Sequence, residues 1–458
     1  MTRDIEDIFS RTPGKYRRAF DWRLSHGEPD SLRTEASAMM RLATSDFPDI
    51  LEDFLEISRR RRKNWTALAR LQTHMLEELL VQEGAVKHYR ILLKKLEDDA
   101  KLLPAIEPEP AGQVEFVKQQ LFLYRQYANA IRAIGDGIAW RTLGYDRAVT
   151  RLMSERETKQ WLTSEGLIQE LREWSFHFER GTGIAILNAL TNCLAIGDVT
   201  VVRPDDSVEI IEVKSSNAKS GRKVRQKQKM SEVVTLLDRG AGQSEGRDIQ
   251  IEILPVTPET GLDQLEELLQ TASQEGVAAK KISNCLYAEA FDCRRIDDPK
   301  PLYERLQELR DKVVGEWTRR GDLVIDFSSL DSLAFTPNCA PFAIYPFSAR
   351  TCVDLLIGSK FYVTYLNHNA VAREFENRGW VVEQTTEQLL QLGNRDAVRK
   401  GAKGKFHVFI PHADFMRLQM EALRAKTLIQ AYEVKFGQQG QSEETLLSVF
   451  SGESVVWD

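Results

Sequence analysis

The sequence predicts an α/β protein in three parts. A helical region covers 1–160, a compact α/β unit covers 161–298, and a further α/β region covers 299–458. Three observations predict this. From about 30 to 103, apolar residues recur at helical spacing with few breakers. Near 198 the texture changes to short β-type runs separated by helical stretches. From about 300 helix and strand alternate to the end of the chain.

The elements follow in order. "PAIEPEPAG", Pro104 to Gly112, cannot continue a helix and reads as a linker. A helix follows from about Val114, with Val117, Leu121, Tyr124, Ala128 and Ile131 on one apolar face. Gly135 and Gly137 read as its interruption. Another helix begins near Ser164 and places Leu167, Leu171, Trp174 and Phe178 together. Strands are expected at about 198–203, 208–214, 248–254 and 282–290, with helices at about 222–238 and 261–275. "GAGQSEG", Gly240 to Gly246, reads as a surface loop. "DLVIDFSS", "KFYVTYL" and "KFHVFIP" are the clearest strands beyond 300.

Bulk properties exclude several classes. The net charge of -6 rules out a basic nucleic-acid coat, so any polyanion site is a local patch. Five cysteines, an odd number with no CxxC, argue against a disulfide framework or a cysteine zinc site. A reducing cytosol fits best, and the first residues lack the apolar core of a secretory signal. No apolar run approaches the roughly 18 residues that cross a membrane, so a membrane partner is not expected.

The chemistry concentrates in "LAIGDVTVVRPDDSVEIIEVKSS", Leu194 to Ser216. Strand alternation sets Val208, Ile210, Glu212 and Lys214 on one face and turns Glu209 away. Glu212 and Lys214 therefore stand together, roughly 7 Å apart at Cα. Phosphodiester hydrolysis uses a divalent metal held by carboxylates, and a lysine that orients water or offsets developing charge. Asp198 on the neighbouring strand supplies a second carboxylate, but only if the register allows it. An even-numbered turn would face Asp198 away from Glu212; an odd loop, or a bulge, puts both on one face.

The segment after this hairpin is basic. "KSSNAKSGRKVRQKQKM" carries Lys214, Lys219, Arg222, Lys223, Arg225, Lys227 and Lys229 with no acid before Glu232. Phosphate backbones need such a surface. A second Glu-x-Lys, Glu433-Val434-Lys435, follows a long helical run without an acid-bearing hairpin and reads as a charged helix end.

The pattern Gly197-Asp198, hairpin, Glu212-Val213-Lys214 resembles the PD-(D/E)XK, or restriction-endonuclease-like, nuclease superfamily over about 165–255. The resemblance implies a mixed sheet flanked by helices and Mg²⁺-dependent cleavage of nucleic acid, with Mn²⁺ able to substitute. It makes Asp198 and Glu212 metal ligands, with the Val213 carbonyl as a third, and assigns Lys214 to the attacking water. It adds an acid on the preceding helix, for which Glu179 is the candidate. It also adds a glutamine or basic residue on the following helix, for which Gln226 is the candidate. Gly197 departs from the motif's proline. Lys219, Arg222, Lys223, Arg225 and Lys229 are the candidate nucleic-acid contacts.

Other features carry less. "GTGIA", Gly181 to Ala185, follows a helix rather than a strand and is discounted as a phosphate loop. The arginines of "SRRRRKNW", Ser58 to Trp65, are consecutive and spread around a helix, so a solvated face is their plain reading. The seven histidines show no metal-ligand spacing. The expectation is a cytoplasmic metal-dependent nuclease, DNA favoured over RNA and endonucleolytic. Its flanking regions suggest regulation by an oligomer or partner protein, as in prokaryotic antiviral defence or mobile elements. The rival readings are a surface hairpin with a solvated salt bridge, and a silent nuclease-like fold that only binds nucleic acid.

Overall fold

The computed structural model describes residues 46–60, 65–102, 109–154, 166–213, 221–244, 247–295, 299–332, 339–383, 399–403, 406–410, 412–438 and 445–450. Its N-terminal part is helical: α1 (Phe47–Arg60), α2 (Trp65–Leu102), α3 (Glu109–Thr142) and α4 (Arg147–Met153). α2 and α3 form an antiparallel pair. Their inner halves join the main core, while Ala85, Val86 and Tyr89 pack with Val117, Leu121 and Tyr124 in a separate cluster at the far end.

Two expectations change here. α3 starts at Glu109, inside the segment read as a linker, because a proline in the first helical turn loses no intrahelical bond. Gly135 and Gly137 do not interrupt α3. They are close-approach positions: a Cβ at Gly135 would collide with the Leu190 carbonyl, and one at Gly137 would lie 2.8 Å from the Ala343 Cβ.

The central unit runs α5 (Leu167–Arg180), β1 (Ile184–Leu187), β2 (Val199–Val202), β3 (Val208–Ile211), α6 (Gly221–Arg239), β4 (Ala241–Ser244) and β5 (Arg247–Leu254). β1, β2 and β3 form an antiparallel sheet in that order. Leu167, Leu171 and Trp174 bury one face of α5, and α5 packs on β1 and β2. β1 is an edge strand, and its backbone is satisfied by side chains. The Gln72 amide donates to the Ala185 carbonyl at 2.9 Å and accepts from the Leu187 N–H at 2.9 Å, while Trp174 Nε1 donates to Ala185 at 3.1 Å. This cover blunts the edge.

The one mixed sheet expected for this unit is held as two sheets among the described residues. β5 does not join the hairpin; it lies between β4, antiparallel, and β13 (Thr445–Phe450), parallel. The stretch read as the loop Gly240–Gly246 thus supplies strand β4. Gly242 lets it lie on α6, where a Cβ would come within 3.1 Å of Leu236 Cγ.

The remainder is α7 (Leu262–Glu275), β6 (Val277–Lys281), β7 (Leu286–Asp292), α8 (Pro299–Arg319), β8 (Val324–Ser328), α9 (Ala349–Leu356) and β9 (Lys360–Asn367). After these come α10 (His368–Glu376), β10 (Val381–Glu383), β11 (Arg399–Lys403), β12 (Phe406–Ile410), α11 (His412–Met420) and α12 (Ala425–Gln438). An antiparallel sheet is ordered β6-β7-β9-β8, and α7 buries Leu265, Leu268, Leu269 and Ala272. Glu433-Val434-Lys435 lies within α12, as its helical context predicts.

One buried core runs from Phe47 to Tyr432 through all three segments. All five cysteines are free thiols. Among the described residues no helix is long and apolar enough to cross a membrane.

Candidate active site

The β2–β3 hairpin meets the register condition. Val199 pairs with Ile211 and Val202 with Val208, leaving an odd loop of 203–207. Arg203 N–H donates to the Ser207 carbonyl at 2.9 Å, and Asp206 sits at φ 63 in the turn. Continued one step, this register sets Asp198 opposite Glu212. At the strand entrance the bonding is offset, because Asp198 N–H donates to the Ile211 carbonyl at 2.8 Å. The Asp198 Oδ2 then accepts the Val213 N–H at 2.7 Å. Glu209 faces away, paired with Arg203 at 2.5 Å.

Gly197 has a conformational reason to be glycine. It sits at φ 73, and a Cβ there would lie 2.5 Å from Ile210 Cγ2 and 3.0 Å from the Ile211 carbonyl oxygen. Proline, fixed near φ -65°, cannot take this place. The departure from the motif's proline is therefore built into the local backbone.

A third carboxylate joins these two, and it is not the one read from the sequence. Glu170, in the first turn of α5, has its pKa pushed up to about 7. Burial is the largest cause, and the negative charges of Asp198 and Glu212 add to it. Glu170 thus lies within electrostatic reach of Asp198 and Glu212 at one end of the hairpin. Asp198 is also shifted upward by burial, partly offset by the Val213 N–H that favours its ionised form.

Glu179 lies nine residues further along α5, about 13 Å along the helix axis, where it is exposed and accepts from Ser175 Oγ at 3.4 Å. On α5 it is Glu170 that feels the charges of the hairpin carboxylates. A signal for this was in the sequence: Glu170 stands three residues after Leu167 and four before Trp174, beside the buried stripe.

The other candidates are placed by backbone only, or lie beyond the described chain. Lys214 and Lys219 lie outside the described residues. Arg222, Lys223, Arg225, Gln226 and Lys229 are on α6, the helix that follows β3, but their side chains lie outside the described residues. In the arginine run, Arg59 is structural. Its guanidinium donates to the carbonyls of Phe347 at 2.7 Å and Tyr345 at 2.8 Å.

The donor chemistry suits a hard divalent cation, which takes carboxylate oxygens. Burial is the main cause of the upward shift of Glu170, and a cation there would offset the added repulsion from Asp198 and Glu212. Among the described residues, however, no three His, Cys, Asp or Glu side chains close up tightly enough to hold a metal ion.

No family model matches the chain, and neither a curated protein nor a solved structure matches it.

Proposed function

We propose that the protein is a metal-dependent nuclease that hydrolyses phosphodiester bonds, with DNA favoured over RNA. The observation that carries this reading is the hairpin register that sets Asp198 opposite Glu212, with Glu170 in electrostatic reach of both and Lys214 two residues after Glu212 in the sequence. A bound Mg²⁺ would supply charge neutralisation at the phosphate and a water acidified for attack. Asp198 and Glu212 would hold the ion with the Val213 carbonyl, and Glu170 would add a third carboxylate. Lys214 orients the attacking water and offsets charge that develops on the phosphoryl oxygens. The basic start of α6, from Arg222 to Lys229, receives the nucleic-acid backbone.

One observation favours a second reading, a nuclease-like unit that binds nucleic acid without cutting it: the three carboxylates are not drawn to ligating distance. A cleavage assay separates the two. Supercoiled plasmid, linear duplex, single-stranded DNA and RNA are incubated with Mg²⁺, Mn²⁺ or EDTA, for wild type, Asp198→Ala and Lys214→Ala. The nuclease reading predicts metal-dependent cutting of at least one substrate, abolished by both substitutions in folded protein. Binding without cutting under every condition would favour the second reading.

A further inference from the structure

We propose that Asn188 is a positioning residue that fixes the direction of the Asp198 carboxylate; this rests on the reading of Asp198 as a metal ligand. Asn188 opens the single-turn 3₁₀ helix Asn188–Leu190 that follows β1, and it is buried.

Its carbonyl accepts from Thr191, and its other polar groups are spent on the five residues centred on Asp198. The backbone N–H donates to the Asp198 carbonyl at 3.0 Å. The side-chain Nδ2 donates to the carbonyls of Ile196 at 2.9 Å and Gly197 at 3.2 Å. The Oδ1 accepts from Thr200 Oγ1 at 2.8 Å.

The consequence is geometric. The direction of a Cα–Cβ bond is set by the two peptide planes that flank the Cα. The plane before Asp198 is held at its carbonyl by Asn188 Nδ2 and at its N–H by the Ile211 carbonyl. The plane after Asp198 is held at its carbonyl by the Asn188 N–H. Both planes are therefore pinned, and the carboxylate is left on the Val213 N–H.

Only an amide side chain can do this, since it offers two donors and an acceptor on one rigid group. The segment just after Asn188 is anchored to the helical region. Asp136 on α3 accepts from the backbone N–H groups of Asn192 at 2.5 Å and Cys193 at 2.8 Å, which fixes the connection between Leu190 and β2.

The test uses the full chain and two readouts. Residue-resolved hydrogen exchange follows the Val213 amide in metal-free protein, and calorimetry measures Mn²⁺ affinity. The variants are Asn188→Leu, the milder Thr200→Val, and Val353→Ala, a core control remote in sequence, with the variants compared at matched distance from their unfolding midpoints. Asn188→Leu is expected to speed Val213 exchange relative to amides of β7 and to weaken Mn²⁺ binding by about tenfold or more. Thr200→Val is expected to move both the same way by less, and Val353→Ala to move neither.

Unchanged Val213 exchange in Asn188→Leu, or the same changes in Val353→Ala, overturns the positioning role. If Asn188→Leu does not fold, Thr200→Val decides by the same two readouts. Wild type that binds no Mn²⁺ fails the metal reading, and the Val213 exchange then judges the role of Asn188 by itself.

Discussion

Glu170 and Gly197 make opposite demands on their surroundings, and each gives a prediction at its own position. Glu170 holds its proton more tightly folded than unfolded, because burial and the charges of Asp198 and Glu212 raise it to about 7. The sign follows from linkage. Between the ordinary carboxylate pKa and about 7 the folded state carries the extra proton, so metal-free stability falls as pH rises through that window. Thermal unfolding from pH 4.5 to 8 should show this decline, and Glu170→Gln should flatten it. Unchanged pH dependence in Glu170→Gln would count against the crowding. Gly197→Ala faces both a left-handed φ of 73 and the Ile210 methyl. It should cost about 1–3 kcal/mol in urea unfolding and disturb Asp198 next to it. The placement of Asp198 and Glu212 was legible here, because strand alternation and an odd loop suffice to bring them to one hairpin end. Glu170 was legible only as an acid beside the buried stripe of α5, since the acid that a helix presents to a site depends on how the helix is rotated on its sheet. Asn188 was not, since a lone asparagine in "LNALTN" carries no local pattern that tells of bonds to residues 196, 197 and 200.

The same glycine-to-alanine change should have opposite signs in the two long helices. Gly84 in α2 has open space where a Cβ would go. Gly84→Ala should stabilise by about 0.5–1 kcal/mol through helix propensity alone. Gly135 in α3 lies against the Leu190 carbonyl, so Gly135→Ala must push α3 off the connection that carries Asn188. It should destabilise by about 1–3 kcal/mol, and chemical denaturation of the two variants checks both signs. This contrast explains why the sequence misled at Gly135 and Gly137. A glycine that breaks a helix and one that admits a neighbouring chain look alike until the neighbour is placed. The strands "DLVIDFSS", "KFYVTYL" and "KFHVFIP" were legible because their periodicity is local. Strand β4 was hidden by its loop-like composition while β5 was read at about 248–254, and the parallel pairing of β13 with β5 joins segments far apart in the chain.

Across the molecule, the three segments share one core, and a buried ion cluster ties them. Glu421 at the end of α11 pairs with Arg147 of α4 at 3.0 Å and Arg417 at 3.2 Å, and it accepts the Ala340 N–H at 3.0 Å. Burial by itself would raise its pKa, but the two guanidiniums outweigh burial and hold it below the ordinary value. Glu421→Ala would strand two buried cations, at a cost of about 3–5 kcal/mol. Urea unfolding should show that loss in a single transition shared by all three segments. The shared core also means that β1 and the connection into β2 are held by helices from outside the central unit, through Gln72 and Asp136. The most direct test of the carboxylate trio is a Mg²⁺ titration of wild type and Asp198→Ala near neutral pH, in two buffers of different ionisation enthalpy. One bound cation that displaces a fraction of a proton from Glu170, with both binding and proton release lost in Asp198→Ala, is the predicted result. No Mg²⁺ binding, or equal binding by Asp198→Ala, would contradict it.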